Sequence, residues 1–185
     1  MKDPCIRQLL KKTELIDFYG DINSKVVEEL SLPIAGARID IAVINGSLYG
    51  YEIKSASDNL LRLPSQMEAY LKVFDYISIA TEEQHLEHVL EKLPEEIGVI
   101  LCDEKGPRKI TKIREPQLNS KKEAFYIAKL LWREEIFECL TKHQISFNKK
   151  DRNWLLCEAL AANLNIDVLS EDVRETLKNR LNWKI

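Results

Sequence analysis

Apolar positions along the first 120 residues follow two different periods. In the first 30 residues they have helical spacing, interrupted near Gly20. Further along, runs with strand-like patterning alternate with segments of helical spacing. The segments predicted to be strands are 37–44, 48–54, 76–80 and 97–102, with 109–113 as a further strand at an edge. The segments predicted to be helices are 64–74 and 82–92.

From residue 121 onward the apolar spacing is helical only. The predicted helices are 122–141, 151–162 and 170–181, the last with a candidate N-cap at Ser170. The chain is therefore predicted to have an α/β core at 1–120, followed by a small all-helical C-terminal module at 121–185.

Composition limits the classes of protein that the chain can represent. Of its 185 residues 45% are hydrophobic and 31% are charged, with only 6 Gly and 6 Pro, which excludes collagen-like, low-complexity and largely disordered classes. No apolar run approaches the roughly 20 residues that cross a bilayer, and the N-terminus has no secretory pattern. We expect a cytoplasmic protein without a membrane partner.

Charge and cysteine content restrict the possible partners and metals. The net charge of −3 is not that of a strongly basic nucleic-acid coat protein. The 4 cysteines are far apart and form no C-x-x-C pair, which offers no recognisable zinc site and fits free thiols in a reducing compartment.

An Asn-Gly dipeptide at the start of segment 45–47 predicts a β-hairpin between the predicted strands 37–44 and 48–54. A two-residue loop would place Asp40 opposite Tyr51. A three-residue loop, with Gly46 in the left-handed conformation, would place Asp40 opposite Glu52. The length of the loop therefore decides whether two carboxylates face each other.

The three-residue loop separates apolar from polar side chains, whereas a slip by one residue mixes them, so we adopt it. The apolar face then holds Ile39, Ile41, Val43, Tyr49, Tyr51 and Ile53. The polar face holds Arg38, Asp40, Ala42, Gly50, Glu52 and Lys54.

The facing carboxylates of Asp40 and Glu52 repel, and each raises the pKa of the other unless a positive charge lies between them. Lys54 lies two residues after Glu52 and so shares its face. Mg²⁺ favours one or two carboxylates together with waters and substrate phosphate oxygens. This arrangement is typical of a metal site that assists the attack of water on phosphorus.

Asp40, the sequence Glu52-Ile53-Lys54 on the adjacent strand, and Gln66 on the following helix resemble the PD-(D/E)XK nuclease superfamily. The resemblance covers residues 20–105 and points to a little-characterised branch of small bacterial members. It implies a restriction-endonuclease-like fold, with a mixed central sheet and elements in the order α-β-β-β-α-β. The proline that often precedes the acid is Ile39 in this chain.

The resemblance implies a role for each matching residue in catalysis. Asp40 and Glu52 would bind the metal together with the backbone carbonyl of Ile53, and Lys54 would serve the water or the scissile phosphate. The cofactor would be Mg²⁺, for which Mn²⁺ could substitute.

Three further residues are expected to support this site. Glu29, or else Glu28, would be an acid on the preceding helix with a water-mediated contact to the metal. Gln66 would support the site from the following helix, where it shares a face with Arg62 and Tyr70. Arg62 is a candidate phosphate contact, with shaping of the turn as the alternative.

These residues predict a Mg²⁺-dependent endonuclease-type phosphodiesterase acting on nucleic acid, with DNA as the first expectation. Such enzymes act as homodimers or with a targeting protein. Two alternatives stay open: a catalytically silent nucleic-acid- or protein-binding module on the same fold, and an interaction protein that uses its C-terminal helices. The basic stretch 105–114 fits a phosphate-tracking strand or an edge strand that charge protects from aggregation.

Overall fold

A six-stranded mixed sheet forms the centre of the protein, seen here in a computed structural model that describes residues 1–34, 36–103, 109–181 and 183. The strands are β1 (Lys25–Ser31), β2 (Arg38–Ile44), β3 (Leu48–Lys54), β4 (Tyr76–Thr81), β5 (Gly98–Asp103) and β6 (Lys109–Arg114). They lie side by side in chain order. The pairs β3–β4 and β4–β5 are parallel and the other three pairs are antiparallel.

Helices cover both faces of this sheet. They are α1 (Asp3–Lys12), α2 (Ile16–Gly20), α3 (Leu63–Leu71), α4 (Glu83–Lys92), α5 (Ala124–Ala128), α6 (Arg133–Lys142), α7 (Asn153–Asn163) and α8 (Ile166–Asn179). A 3-10 turn (Leu60–Arg62) leads into α3. In the part of the chain that the structure describes, no helix has the length and apolar character needed to span a membrane.

The two parallel strand pairs are joined by α3 and α4, because parallel strands need a crossover connection. Two apolar clusters lie on the sheet. The smaller cluster joins α1 to residues such as Ile41, Tyr51 and Ile53. The larger cluster holds Phe74 and Ile79 together with apolar residues of α5 to α8. The central strands are buried on both faces, which confirms the α/β class predicted from sequence.

The C-terminal helices share the larger cluster with the sheet, and the division at residue 120 stays a prediction. The segment predicted as one helix over 122–141 is two, because the chain breaks before α6, where the Glu135 carboxylate caps the amide of Trp132 at 2.6 Å. The last helix begins at Ile166 and is capped by the Asn165 side chain, so the predicted start at Ser170 is wrong.

The segment 25–31 is strand β1, so the helix predicted through the first 30 residues is wrong beyond α2. Val27 and Leu30 face the same cluster although alternation would separate them, and so do their partners Ala42 and Ile39. Between them Glu29 has a φ of 56°, which is strained for a residue other than glycine. This local turn of the backbone gives β1 the apolar spacing of a helix.

The predicted register of the β2–β3 hairpin is confirmed, with Ala42 opposite Gly50 and a three-residue loop at 45–47. Gly46 does not adopt the predicted left-handed conformation. The loop is closed instead by Asn45, whose side chain accepts the amide of Ser47 at 2.9 Å.

The strand predicted at the edge of the sheet is β6. Its Lys112 ammonium lies 3.2 Å from the carboxylate of Glu14, and Arg114 donates to the carbonyl of Ile97 at 2.7 Å. The rest of the basic stretch, at 105–108, lies outside the described residues. Because Lys112 and Arg114 bind within the chain, β6 favours the interpretation as a charge-protected edge.

Candidate active site

A cleft of about 560 Å³ opens where β2, β3 and α3 meet. It is lined by Ser31, Gly36, Ala37, Arg38, Asp40, Glu52, Arg62, Ser65 and Gln66. Four residues predicted for the site from sequence are therefore brought together: Asp40, Glu52, Arg62 and Gln66.

Glu52 is the centre of the hydrogen-bond network and is only 3% exposed. Its Oε1 accepts from Lys54 Nζ and from Gln66 Nε2, each at 2.7 Å. Its Oε2 lies 2.7 Å from the hydroxyl of Tyr70, which donates to it. Since β3 supplies Glu52 and Lys54 while α3 supplies Gln66 and Tyr70, the network fixes the helix against the sheet.

Lys54 is buried and pairs with Glu52. Its ammonium donates also to Gln66 Oε1 at 2.9 Å. A desolvated ammonium held by two acceptors has one orientation, which is the condition for acting on a water or a phosphate oxygen.

Asp40 lies one residue beyond the end of the β2–β3 ladder, which stops at Ile41 and Tyr51. Its Oδ2 accepts the backbone amide of Ile53 at 2.7 Å, in place of a ladder bond. Its Oδ1 accepts from Arg7 Nη2 at 3.0 Å. The carboxylate of Asp40 is therefore held in place next to that of Glu52 in the cleft wall.

Burial and the negative charge of Glu52 raise the pKa of Asp40 to about 6, despite the opposing Ile53 amide and Arg7 guanidinium. The cleft thus lacks the positive charge that would keep both carboxylates ionised. A bound cation or a proton would supply it.

Arg7 on α1 is a member of the site that sequence analysis missed. It donates to the carbonyl oxygen of Asp40 at 2.7 Å and to Glu29 Oε1 at 2.8 Å. Burial opposes its charge, but the carboxylates of Asp3, Asp40 and Glu29 outweigh burial and raise the pKa of Arg7. No sequence pattern links Arg7 to a partner 33 residues away, so no sequence signal could have found it.

Glu29 stands on β1 and not on the predicted helix. It is held by Arg7 and by Arg38, whose Nε is 2.7 Å from Glu29 Oε2. Among the described residues, the ligand atoms of Glu29, Asp40 and Glu52 do not form a cluster within 4.8 Å of one another. The structure therefore assembles Asp40 with Glu52 and leaves Glu29 paired to arginines.

Tyr70 was predicted only as a core residue that shares a helix face with Gln66, yet its hydroxyl binds Glu52. Its i+4 spacing from Gln66 is the signal that pointed to this contact. The neighbouring negative charge and burial raise the pKa of Tyr70, which keeps it a hydrogen-bond donor.

The raised pKa of Asp40 predicts a pH-dependent stability. Because the folded pKa of about 6 lies above the ordinary aspartate pKa of 3.8, the folded state binds the proton more tightly than the unfolded state does. The stabilisation that the protonated Asp40 gives the folded state is fully present below pH 3.8 and is lost as pH rises through 6. The free energy of unfolding changes by on the order of 3 kcal/mol over this range.

Urea unfolding of the wild type and Asp40→Asn from pH 4 to pH 7 measures this contribution. The wild type should lose stability relative to the variant as pH rises, because the amide does not titrate. A constant difference across this range would show that Asp40 has an ordinary pKa.

Comparisons with known proteins find a matching family model and two similar proteins. A family model described as Bacteriophage P4 protein cII matches residues 6–184. Protein cII of Enterobacteria phage P4 is 28% identical over 182 residues, which cover 97% of this chain and 66% of that protein. A solved structure of a protein of unknown function from Silicibacter pomeroyi matches 70% of this chain and 86% of its own, with 19% identity and a TM-score of 0.39.

Proposed function

The chain belongs to the bacteriophage P4 protein cII family. We propose that it is a metal-dependent nuclease that hydrolyses phosphodiester bonds of nucleic acid, with DNA as the expected substrate. The observation that carries this proposal is one cleft with two neighbouring carboxylates, Asp40 and Glu52, and a buried lysine bound to one of them. The chain spans about two thirds of the length of its phage P4 relative, and the proposal concerns the part present here.

The order of elements supports a restriction-endonuclease-like core. From α1 to β4 the chain runs through two short helices, the three-stranded meander β1–β3, then α3 and β4. This is the order α-β-β-β-α-β that the resemblance to PD-(D/E)XK nucleases implies. Strand β1, absent from the sequence prediction, supplies the third strand of the meander.

The donor set of the cleft fits Mg²⁺. Asp40 and Glu52 would hold the ion, with oxygen ligands only, and the raised pKa of Asp40 indicates a need for positive charge at this position. When bound, Mg²⁺ supplies Lewis-acid stabilisation of the charge that develops on the phosphate and lowers the pKa of a bound water.

The chain's own groups position the substrate. Lys54, held by Glu52 and Gln66, presents its ammonium to the attacking water or to a phosphate oxygen. Arg62 and Arg38 line the cleft and attract a phosphate backbone by charge. Tyr70 and Gln66 hold the Glu52 carboxylate in one orientation through their hydrogen bonds.

The cysteines bear on where the protein acts, and the net charge bears on whether it needs a protein partner. All four cysteines are free thiols, which is consistent with the reducing cytoplasm that we propose as the location. The net charge of −3 gives little non-specific attraction to nucleic acid. A targeting protein would supply that attraction, whereas a homodimer would double the negative charge and offer two clefts instead.

Arg7 favours a second candidate, a catalytically silent binding module on the same fold. Its guanidinium already neutralises part of the charge of Asp40 and Glu29, as a cation would. In such a module Asp40 and Glu52 would be structural and no divalent ion would be required.

Cleavage of labelled single- and double-stranded DNA and RNA, with Mg²⁺, Mn²⁺ or EDTA, decides between the two candidates. We expect cleavage that needs the metal and is lost in Asp40→Ala but retained in Glu158→Gln, a matched change of an exposed acid on α7. Calorimetry with Mn²⁺ accompanies it. If the protein shows no cleavage and binds no metal through Asp40, the nuclease proposal is refuted and the binding module remains.

Replacing Arg62 with alanine should weaken the binding of substrate and leave the chemical step intact. Because Arg62 is exposed at the cleft rim, it can contact one phosphate, so KM should rise and kcat should stay unchanged. The slope of log affinity against log salt should fall by about 0.7–0.9. Arg152→Ala, an exposed arginine outside the cleft, is the control, and equal KM values in both variants would contradict a role for Arg62.

A further inference from the structure

A mixed cluster of metal-ligating side chains lies far along the chain from the cleft residues, where α6 ends against α8. Cys139 is on α6, His143 follows directly at its C-cap, and Asp172 is on α8. The ligand atoms of these three residues all lie within 4.8 Å of one another. The spacing of four residues between Cys139 and His143 places both on one face of the helix.

We propose that Cys139, His143 and Asp172 bind a zinc ion that ties α6 to α8, with water as the fourth ligand. A thiolate, an imidazole and a carboxylate form a ligand set that Zn²⁺ takes in tetrahedral sites. Hard ions such as Mg²⁺ avoid sulfur and would not bind it.

The spacing of the thiol and the carboxylate is close to that of a bound site, whereas the direct hydrogen bond between Asp172 and His143 has to open for the ion to enter. Asp172 Oδ2 is 3.7 Å from Cys139 Sγ and is also hydrogen-bonded to His143 Nε2. Tetrahedral zinc with ordinary bond lengths places sulfur and oxygen ligands about 3.6 Å apart. One oxygen of Asp172 thus already lies between the two other ligands.

A neighbouring lysine orients one of the proposed ligands, as is common in metal sites. Asp172 Oδ1 accepts from Lys142 Nζ at 2.5 Å, so Oδ2 is the oxygen left for the ion while Lys142 orients the carboxylate. The side chains are largely shielded, with 22% exposure for His143 and 11% for Asp172, which leaves access for one water. On binding, the thiol proton of Cys139 passes to solvent and His143 coordinates through its neutral imidazole nitrogen.

The sequence could not reveal this site because its ligands do not form a paired-cysteine motif. Only one cysteine takes part, and the third ligand is 29 residues beyond His143. The fold brings them together by packing α8 beside the end of α6.

Titration of the full chain with Zn²⁺ against a chromophoric chelator tests the proposal. We expect one zinc per chain, and at about a 100-fold excess over Kd a rise in Tm of about 5–10 °C. With Co²⁺ in place of zinc, we expect a thiolate charge-transfer band and the visible bands of a tetrahedral ion. Because no thiol lines the cleft at Asp40 and Glu52, this band separates the two sites.

Matched variants identify the ligands. Cys139→Ser, His143→Gln and Asp172→Asn should each weaken binding at least tenfold, and Lys142→Met by about tenfold through its effect on Asp172. Cys157→Ser, which changes a buried free thiol on α7, should leave zinc affinity unchanged. Should a ligand variant fail to fold, the charge-transfer band of the wild type still tests the site. Absence of that band, or equal affinity in all folded variants, would overturn the proposal.

Discussion

Lys54→Met should lower the rate constant of metal-dependent cleavage by about 10²–10³-fold while metal affinity stays unchanged. Lys54 is a pre-oriented hydrogen-bond donor to the charge that develops on the phosphate, and removal of one such donor typically lowers the rate constant by this factor. Lys54 is not itself a ligand of the proposed metal, and without it Glu52 keeps its hydrogen bonds from Gln66 and Tyr70, so both metal ligands stay in place. Single-turnover cleavage with saturating Mn²⁺, with calorimetry for the metal, measures the two quantities separately.

The control for Lys54 is Lys121→Met, which removes a lysine from an exposed pair with Glu96. Exposed pairs contribute little, so both rate and stability should match the wild type. If Lys54→Met cleaves at the wild-type rate, the activity belongs to a different site or to a contaminant. If it also loses metal affinity, Lys54 acts by holding Glu52 and not on the substrate.

The sequence predicted the hairpin well because a single physical condition determines its register. A loop one residue shorter would place Asp40 opposite Tyr51 and mix the two faces. The observed pairing of Ala42 with Gly50 is the three-residue register. Glu52 and Lys54 follow on one face by alternation, as predicted, but the sequence pattern gave no sign that both side chains would be buried.

The same alternation failed where the backbone departs from a regular strand. The left-handed Glu29 and the end of the ladder at Asp40 turn Ile39 away from the face predicted for it, and Ile39 packs near Phe74 and Gly50. An added Cβ on Gly50 would lie 2.4 Å from Ile39 Cδ1, so this packing requires glycine there. The irregularity is also what frees Asp40 from the ladder to take the Ile53 amide.

Contacts between distant parts of the chain were beyond sequence reasoning. Arg7 reaches Asp40 because α1 packs on the face of the sheet that holds Ile41 and Ile53, and no local period encodes that docking. Arg7 changes the interpretation of the site, since a guanidinium competes with a metal for the carboxylate of Asp40. Metal binding in the Arg7→Ala variant would therefore be tighter than in the wild type if the two cations exclude each other.

Glu52→Gln should destabilise the protein by about 3–5 kcal/mol, because it leaves the buried ammonium of Lys54 without a counter-charge. Lys54→Met should cost less, since Glu52 keeps its hydrogen bonds from Gln66 and Tyr70. The double variant removes both charges together. Its loss should therefore fall below the sum of the two single losses by about 1–3 kcal/mol.

Urea unfolding of the four proteins in this cycle, at pH 7 and without divalent metal, measures the coupling. A coupling of this size would show that Glu52 holds Lys54, which is what a positioning role in hydrolysis requires. Additive losses would mean that the two side chains have no net interaction, whether through charge or through the hydrogen bond between them. In that case the buried lysine gives no support to the nuclease over the silent module, and the cleavage assay alone must decide between them.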